Sequence, residues 1–328
     1  MNTRRKLITA LATTTLTFTL TPWPALAQTR PARIAWLGPG TASGDRQFLD
    51  AFKLGLQQNG LVEGRDYLLD DRSADGHYER FPDLTREMLA RQPAVLVVAT
   101  ITSVRAAQQL TKTVPIIFAT LNDPVKAGLV ASLARPGGNT TGISNLAEDP
   151  TGKLLEILRT AAPKAKRIGV LLNPNNPSNL TMLASARTLG TSLGLTILGA
   201  ELAQPEQLET AFAALVTQRP DALLVQSDAM VNSLRERISA LALKHRLPGI
   251  GVPEFAEAGL LLGFGSSRAD NHRHAATYVK KILGGAKPAD LPVEQASRAV
   301  LWTSLKTAKA LGIKIPETIL IQATKVIE

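Results

Sequence analysis

Small polar residues end several apolar runs in this chain, and an amphipathic segment follows each. Thr100, Thr102 and Ser103 close PAVLVVATITS (93–103), and Ser227 and Asp228 close PDALLVQSD (220–228). A helix starting directly after such a run offers unpaired N–H groups and a positive dipole end, which favour an anion. A carboxylate at the same place favours an ammonium. Non-covalent capture of a small polar molecule is therefore the chemistry these residues suit. Five further sites are of the same kind. GPGTASG (38–44) follows RIAWLG, and its Thr41, Ala42 and Ser43 form a small-residue loop that admits a ligand close to the backbone. Asn122 and Asp123 follow PIIFA; Asp123 reads as a helix N-cap before Pro124 and also as a partner for a ligand ammonium. Ser144 and Asn145 end GISN. Asn173, Asn175 and Asn176 lie in NPNNP, at the tip of RIGVLL, either as a turn cluster or as amide hydrogen-bonding groups. Glu254, beside Phe255 after GIGV, suits a cationic or aromatic ligand or caps a helix.

Reaction chemistry has little support. GPGTASG spaces its glycines as G-x-G-x-x-x-G rather than G-x-G-x-x-G, and no acidic residue sits convincingly at the end of the next strand. Thr151-Gly152-Lys153 lacks the upstream glycine of a phosphate loop. Neither a G-x-S-x-G elbow nor an H-E-x-x-H pair occurs. His272 and His274, two apart on a predicted helix, point to different faces. There is no cysteine, hence no disulfide, thiolate metal site or cysteine nucleophile. The expectation is a protein that is not an enzyme and uses no cofactor or metal.

The elements that must position these residues follow a regular order. The chain has 328 residues, 45% hydrophobic and 20% charged, enough for two domains of ordinary size. Residues 1–27 read as an export signal: Arg4, Arg5 and Lys6, a mild apolar run, then Ala25-Leu26-Ala27 before the cut, with Sec and twin-arginine routes both open. The net charge of +10 is spread along the chain rather than clustered, as on a solvated surface; a nucleic-acid partner would want a stripe. Strands are predicted at 33–38, 67–71, 95–99, 115–119 and 142–145, with helices over 45–58, 79–91, 104–111 and 124–134. The order then restarts: helix 151–161, strand 167–172, a helix to Gly194, strand 195–200, helix 205–218, strand 222–225, helix 231–245 and strand 249–252. RIAWLG and RIGVLL, Pro93 and Pro220, and VPII and LPGI recur 127 to 134 residues apart in the same order. Alternating strands and helices give parallel doubly wound sheets. Written twice, they give two α/β lobes whose strand tips face one another as two jaws of a cleft. Residues 254–328 supply a helical turn and strand (254–265), a helix (269–284), a strand (298–302) and a helix (304–311) that cross back between the lobes.

Several stretches resemble a known family: FKLGLQQNGLVEGRDYLLDDRSADGHYERFPDL (52–84), DPVKAGLVASLARPGGNTTGISNL (123–146), NPNNP (173–177), ALKHRLPGI (242–250), GGAKPADLPVEQ (284–295) and LKTAKALGIKIP (305–316). The chain resembles the substrate-binding proteins of bacterial ABC transporters, of the tryptophan- and tyrosine-associated type, over essentially all of the segment after the signal. The resemblance implies the type I periplasmic binding protein fold: two Rossmann-like lobes joined by a three-strand hinge. Lobe 1 would be 28–146 plus about 266–297, and lobe 2 would be 147–265 plus about 298–328. It implies a monomer in the periplasm that captures an amino-acid-like solute and delivers it to an ABC permease and its ATPase subunit. The ligand contacts it implies are the strand-tip residues named above. Where many relatives carry an aromatic or Pro-rich segment after the 222–225 strand, this chain has QSDAMVN, and ligand identity does not transfer. The alternative reading is a secreted ligand-sensing subunit for a membrane receptor.

Overall fold

The computed structural model describes residues 30–145, 149–296 and 299–328; the expected export signal lies outside them. The first half runs β1 (Ala32–Gly38), α1 (Ala42–Gln58), β2 (Tyr67–Ser73), α2 (Phe81–Ala90), β3 (Val95–Val98), α3 (Ile101–Leu110), β4 (Ile116–Leu121) and β5 (Thr140–Ser144). The second half repeats the order: α4 (Thr151–Ala161), β6 (Arg167–Leu172), α5 (Pro177–Ser192), β7 (Thr196–Glu201), α6 (Leu208–Thr217), β8 (Ala222–Val225), α7 (Ala229–Ser233), α8 (Arg235–Lys244) and β9 (Gly249–Gly251). The remainder is α9 (Pro253–Glu257), β10 (Leu262–Gly265), α10 (Arg268–Leu283), β11 (Glu294–Gln295), β12 (Val300–Ser304), α11 (Leu305–Leu311), α12 (Glu317–Gln322) and β13 (Lys325–Ile327).

Two sheets result. One has the order β11-β5-β4-β3-β1-β2 and the other β13-β12-β10-β9-β8-β6-β7. Within them, β2-β1-β3-β4-β5 and β7-β6-β8-β9-β10 are the same arrangement, so the repeat read in the sequence is a repeat of topology. The ladders are parallel except that β12 runs antiparallel to β10. The fold is therefore the two-lobed α/β architecture expected. The central strands β3, β4 and β8 are buried along their whole length, as parallel strands covered on both faces must be. The chain passes between the sheets after β5, after β10 and after β11.

Three expectations need correction. No helix forms over 124–134. A few turns follow Pro124, because Gly128 takes the left-handed φ of +70° and ends the helical hydrogen bonding begun by Ala127, so that Leu129 reaches back five residues to the Pro124 carbonyl. Helix 231–245 is two helices broken at Leu234. The Ser233 hydroxyl donates to the Met230 carbonyl and Arg235 donates to that of Asn232, so side chains take carbonyls that a continuous helix would use. Thr41 to Ser43 are not a loop: Thr41 caps α1, which begins at Ala42, and accepts the Gly44 N–H at 3.0 Å. Strands β11 and β13 and helix α12 are too short to leave a periodic signal.

Candidate ligand-binding site

Three adjoining cavities lie along the seam between the lobes, at the carboxyl ends of the strands. The outer one, about 380 Å³, is bordered by Ile101, Arg105, Asp123, Lys126, Asp149 and Thr181. An inner apolar chamber of about 60 Å³ is walled by Leu154, Met182, Val225, Val252 and Phe264. A smaller polar chamber of about 30 Å³ lies among Thr100, Asn122, Asn176, Ser227 and Asp228. Asn122 borders all three.

The polar chamber is built at helix starts. Thr100 and Ser103 form a reciprocal cap: the Ser103 N–H donates to Thr100 Oγ1 at 3.0 Å and the Thr100 N–H to Ser103 Oγ at 3.1 Å. The N–H groups of Ile101 and Thr102, in the first turn of α3, have no helical acceptor, and Ile101 borders the chamber. Across the seam Asn176 caps α5.

Asn145 organises the hinge side. Its Nδ2 donates to Asn122 Oδ1 at 2.7 Å, and its Oδ1 accepts from Thr120, Ser266 and Asn271. One amide thus ties two strand tips of lobe 1 to the second crossing and to α10.

Asp228 is buried and saturated. Oδ1 accepts the Asn173 amide at 3.2 Å and the Val231 N–H at 3.1 Å; Oδ2 accepts Tyr78 Oη and the Asn176 amide, both at 3.0 Å. Burial and the neighbouring Asp228 carboxylate hold the Tyr78 phenol well above its usual range, so it stays a donor.

The strand-tip residues therefore divide. Thr100, Asn122, Asp123, Asn145, Asn176, Ser227 and Asp228 border the cavities. Thr41, Ala42 and Ser43 do not; the adjacent Gly40 and Gly44 face Ser233 of the opposite lobe. Thr102 and Ser103 lie in the first turn of α3 behind the chamber wall. The Ser144 hydroxyl turns to the Leu121 and Asn145 carbonyls. Asn173 supports Asp228, and the Asn175 amide donates to the Ala203 carbonyl. Glu254 is buried and its Oε1 accepts the Arg268 main-chain N–H at 2.8 Å, at the start of α10; burial raises its carboxyl.

Sequence reading missed Arg268, which borders both inner chambers. A signal existed: a basic residue in a first helical turn opposes the dipole and asks for a reason. It also missed Asn179, whose amide joins the β6 and β8 tips by accepting the Asn173 N–H and donating to the Ser227 carbonyl.

Two lobes with a cleft at facing strand tips define a two-lobed small-molecule binding protein. The profile of the ABC transporter substrate binding protein family matches residues 43–327, and the chain belongs to that family. The family is one of solute-binding proteins rather than a class of enzyme. A "Tyrosine-binding protein" of Clostridioides difficile (strain R20291) is 26% identical over 260 residues, covering 79% of this chain and 74% of the relative. The solved structure of a conserved domain protein from Vibrio cholerae o1 biovar eltor superposes with a TM-score of 0.82 at 27% identity, covering 90% of this chain and 99% of that one. That of an ABC domain in complex with L-Trp from Streptococcus pneumonia gives a TM-score of 0.81 at 24% identity, covering 90% and 100%.

Proposed function

We propose that this protein captures a small amino-acid-like solute in the interlobe cleft and presents it, as a monomer outside the cytoplasm, to the permease of an ABC transporter and its ATPase subunit. Residues 1–27 would direct export and be removed after Ala27. The observation that carries the reading is the pairing of an apolar chamber with a polar one in a single seam. Such a pair suits a molecule with a polar head and an apolar body. The names of two relatives, one tyrosine-binding and one solved with L-Trp, support the same class. A ligand carboxylate would take the free N–H groups at the start of α3. An ammonium would find Asp123, which gives one oxygen to the Lys126 N–H and keeps the other free among the described residues.

Thermal unfolding of residues 28–328, refolded to strip bound solute, tests this against amino acids and small carboxylates. A solute at a thousand times its Kd adds about 4 kcal/mol. The midpoint should then rise by several degrees, at roughly 2–4 °C per kcal/mol. A flat response across a panel that also holds amines, amides and sugars would reject capture of such solutes.

A further inference from the structure

Arg268 is the first residue of α10 and is only 5% exposed. Its Nε has no hydrogen-bond partner, and no ion pair among the described residues includes it. The nearby acids Asp45 and Glu254 feel its charge, and each keeps one buried oxygen without a partner, but neither forms an ion pair with it. Asp45 Oδ2 accepts the Gly40 N–H at 2.7 Å, and Glu254 Oε1 accepts the main-chain N–H of Arg268 itself. The guanidinium lies over the Phe48 ring, 5.2 Å from its centroid. His272, one turn on, donates Nδ1–H to the Arg268 carbonyl and stays neutral.

A guanidinium withdrawn from water with carboxylates near but none in contact is costly, and it stands at a helix end that already favours negative charge. It borders the apolar and the polar chamber together. The missing partner is therefore an anion that arrives with an apolar body attached. We propose that Arg268 is the carboxylate anchor of the cleft. The ligand is an organic acid whose carboxylate meets the guanidinium in the polar chamber that Ile101, at the start of α3, also borders. The apolar body lies against Leu154, Met182, Val225, Val252 and Phe264. This assignment rests on the solute-binding reading above and adds the residue that selects for a carboxylate. Guanidinium is suited to the role because its planar fork matches both carboxylate oxygens.

The test is calorimetric titration of the refolded chain with L-tyrosine, L-tryptophan and L-leucine, each beside its own carboxamide, and with ribose and glycerol. The amide keeps the amine and the side chain and removes only the negative charge. At least one acid should bind, with its amide weaker by about tenfold or more, the range of a charge-assisted hydrogen bond. Arg268→Gln should weaken the acid by a similar factor and leave the amide unchanged, and Arg268→Lys should fall between. The comparison of acid with amide on the unmodified chain stands even if a variant fails to fold. Equal affinity for acid and amide, or binding of ribose or glycerol alone, overturns the anchor and leaves solute capture standing. An acid bound as tightly by Arg268→Gln does the same. Binding of none of the panel overturns the anchor and the capture of amino-acid-like solutes together.

Discussion

Both oxygens of Asp228 are occupied by donors of the protein itself, which fixes what a substitution there would do. Asp228→Asn turns one acceptor into a donor facing donors, and leaves buried groups unsatisfied at about 1–3 kcal/mol. We expect a lower midpoint by thermal unfolding and the same loss of affinity for ligands with and without an ammonium. A selective loss of amine-bearing ligands would return Asp228 to the ligand contacts. Asp45 carries a pH signature. Burial lifts its carboxyl from 3.8 to about 6, against the pull of the Gly40 N–H, Arg268 and Arg235 and with a smaller push from Asp75. The folded state then holds the proton more tightly than the unfolded state. The associated stability is complete below pH 3.8 and is lost as pH rises through 6, about 3 kcal/mol in all. Asp45→Asn keeps the acceptor for Gly40 and removes the titration. Its midpoint relative to the unmodified chain should rise by several degrees between pH 4 and pH 7; a constant difference would reject the assignment. His272, pushed down to about 3 by burial, acts oppositely, losing stability as pH falls below 6.5, and the difference measurement cancels it.

At the scale of elements, α10 matters most, because it carries Arg268 at its start and lies along α1. The two helices meet at Gly55, where an added Cβ would stand 2.1 Å from the Arg273 carbonyl oxygen. Gly55→Ala must push α10 away, at about 1–3 kcal/mol for an overpacked contact. Its midpoint should fall and its affinity should fall with it, since Arg268 moves with the helix. A lower midpoint with unchanged affinity would show that Arg268 is placed independently of that packing. The start of α3 is the second such element. Thr100→Ala removes one half of a reciprocal cap, worth about 1 kcal/mol. It also loosens the turn whose first residue, Ile101, borders the polar chamber, so unfolding and titration should both register it.

Over the whole molecule, contacts across the seam set how far the lobes open. Tyr78 of lobe 1 donates to Asp228 and accepts the Met230 N–H at 3.2 Å, both in lobe 2. Arg235 of lobe 2 donates to the Gly44 carbonyl at 3.0 Å. An apolar cluster runs through the same region, including Ala74 and Tyr78 on one side and Met230 and Leu202 on the other. The protein's own groups thus hold the lobes together on the side away from the hinge. Tyr78→Phe keeps the ring and deletes both hydrogen bonds. A loss of 1.4 kcal/mol shifts the closed-to-open ratio about tenfold. Small-angle scattering of the ligand-free variant should give a larger radius of gyration, and ligand affinity should drop; identical curves for the two proteins would dismiss the clasp.

Much of this protein was legible before folding. The order of strands and helices, their repetition, and the tips at which polar residues gather follow from apolar periodicity and turn chemistry, which are local properties of the chain. So did the buried strands β3 and β8, while α3, expected over 104–111, begins three residues earlier at Ile101 with Thr100 as its cap. The chain by itself determined two mainly parallel sheets with facing tips. Local pattern cannot state what a side chain does once another segment arrives. Asp228 reads as a ligand carboxylate until Tyr78, 150 residues earlier, fills it. Glu254 reads the same way until α10 begins on top of it. Arg268 falls just before the predicted helix 269–284, yet the fold makes it the first residue of α10 and buries it at the junction of two chambers. Only tertiary structure decided these three, because desolvation and partner choice depend on neighbours brought together by closure of the fold rather than by adjacency along the chain.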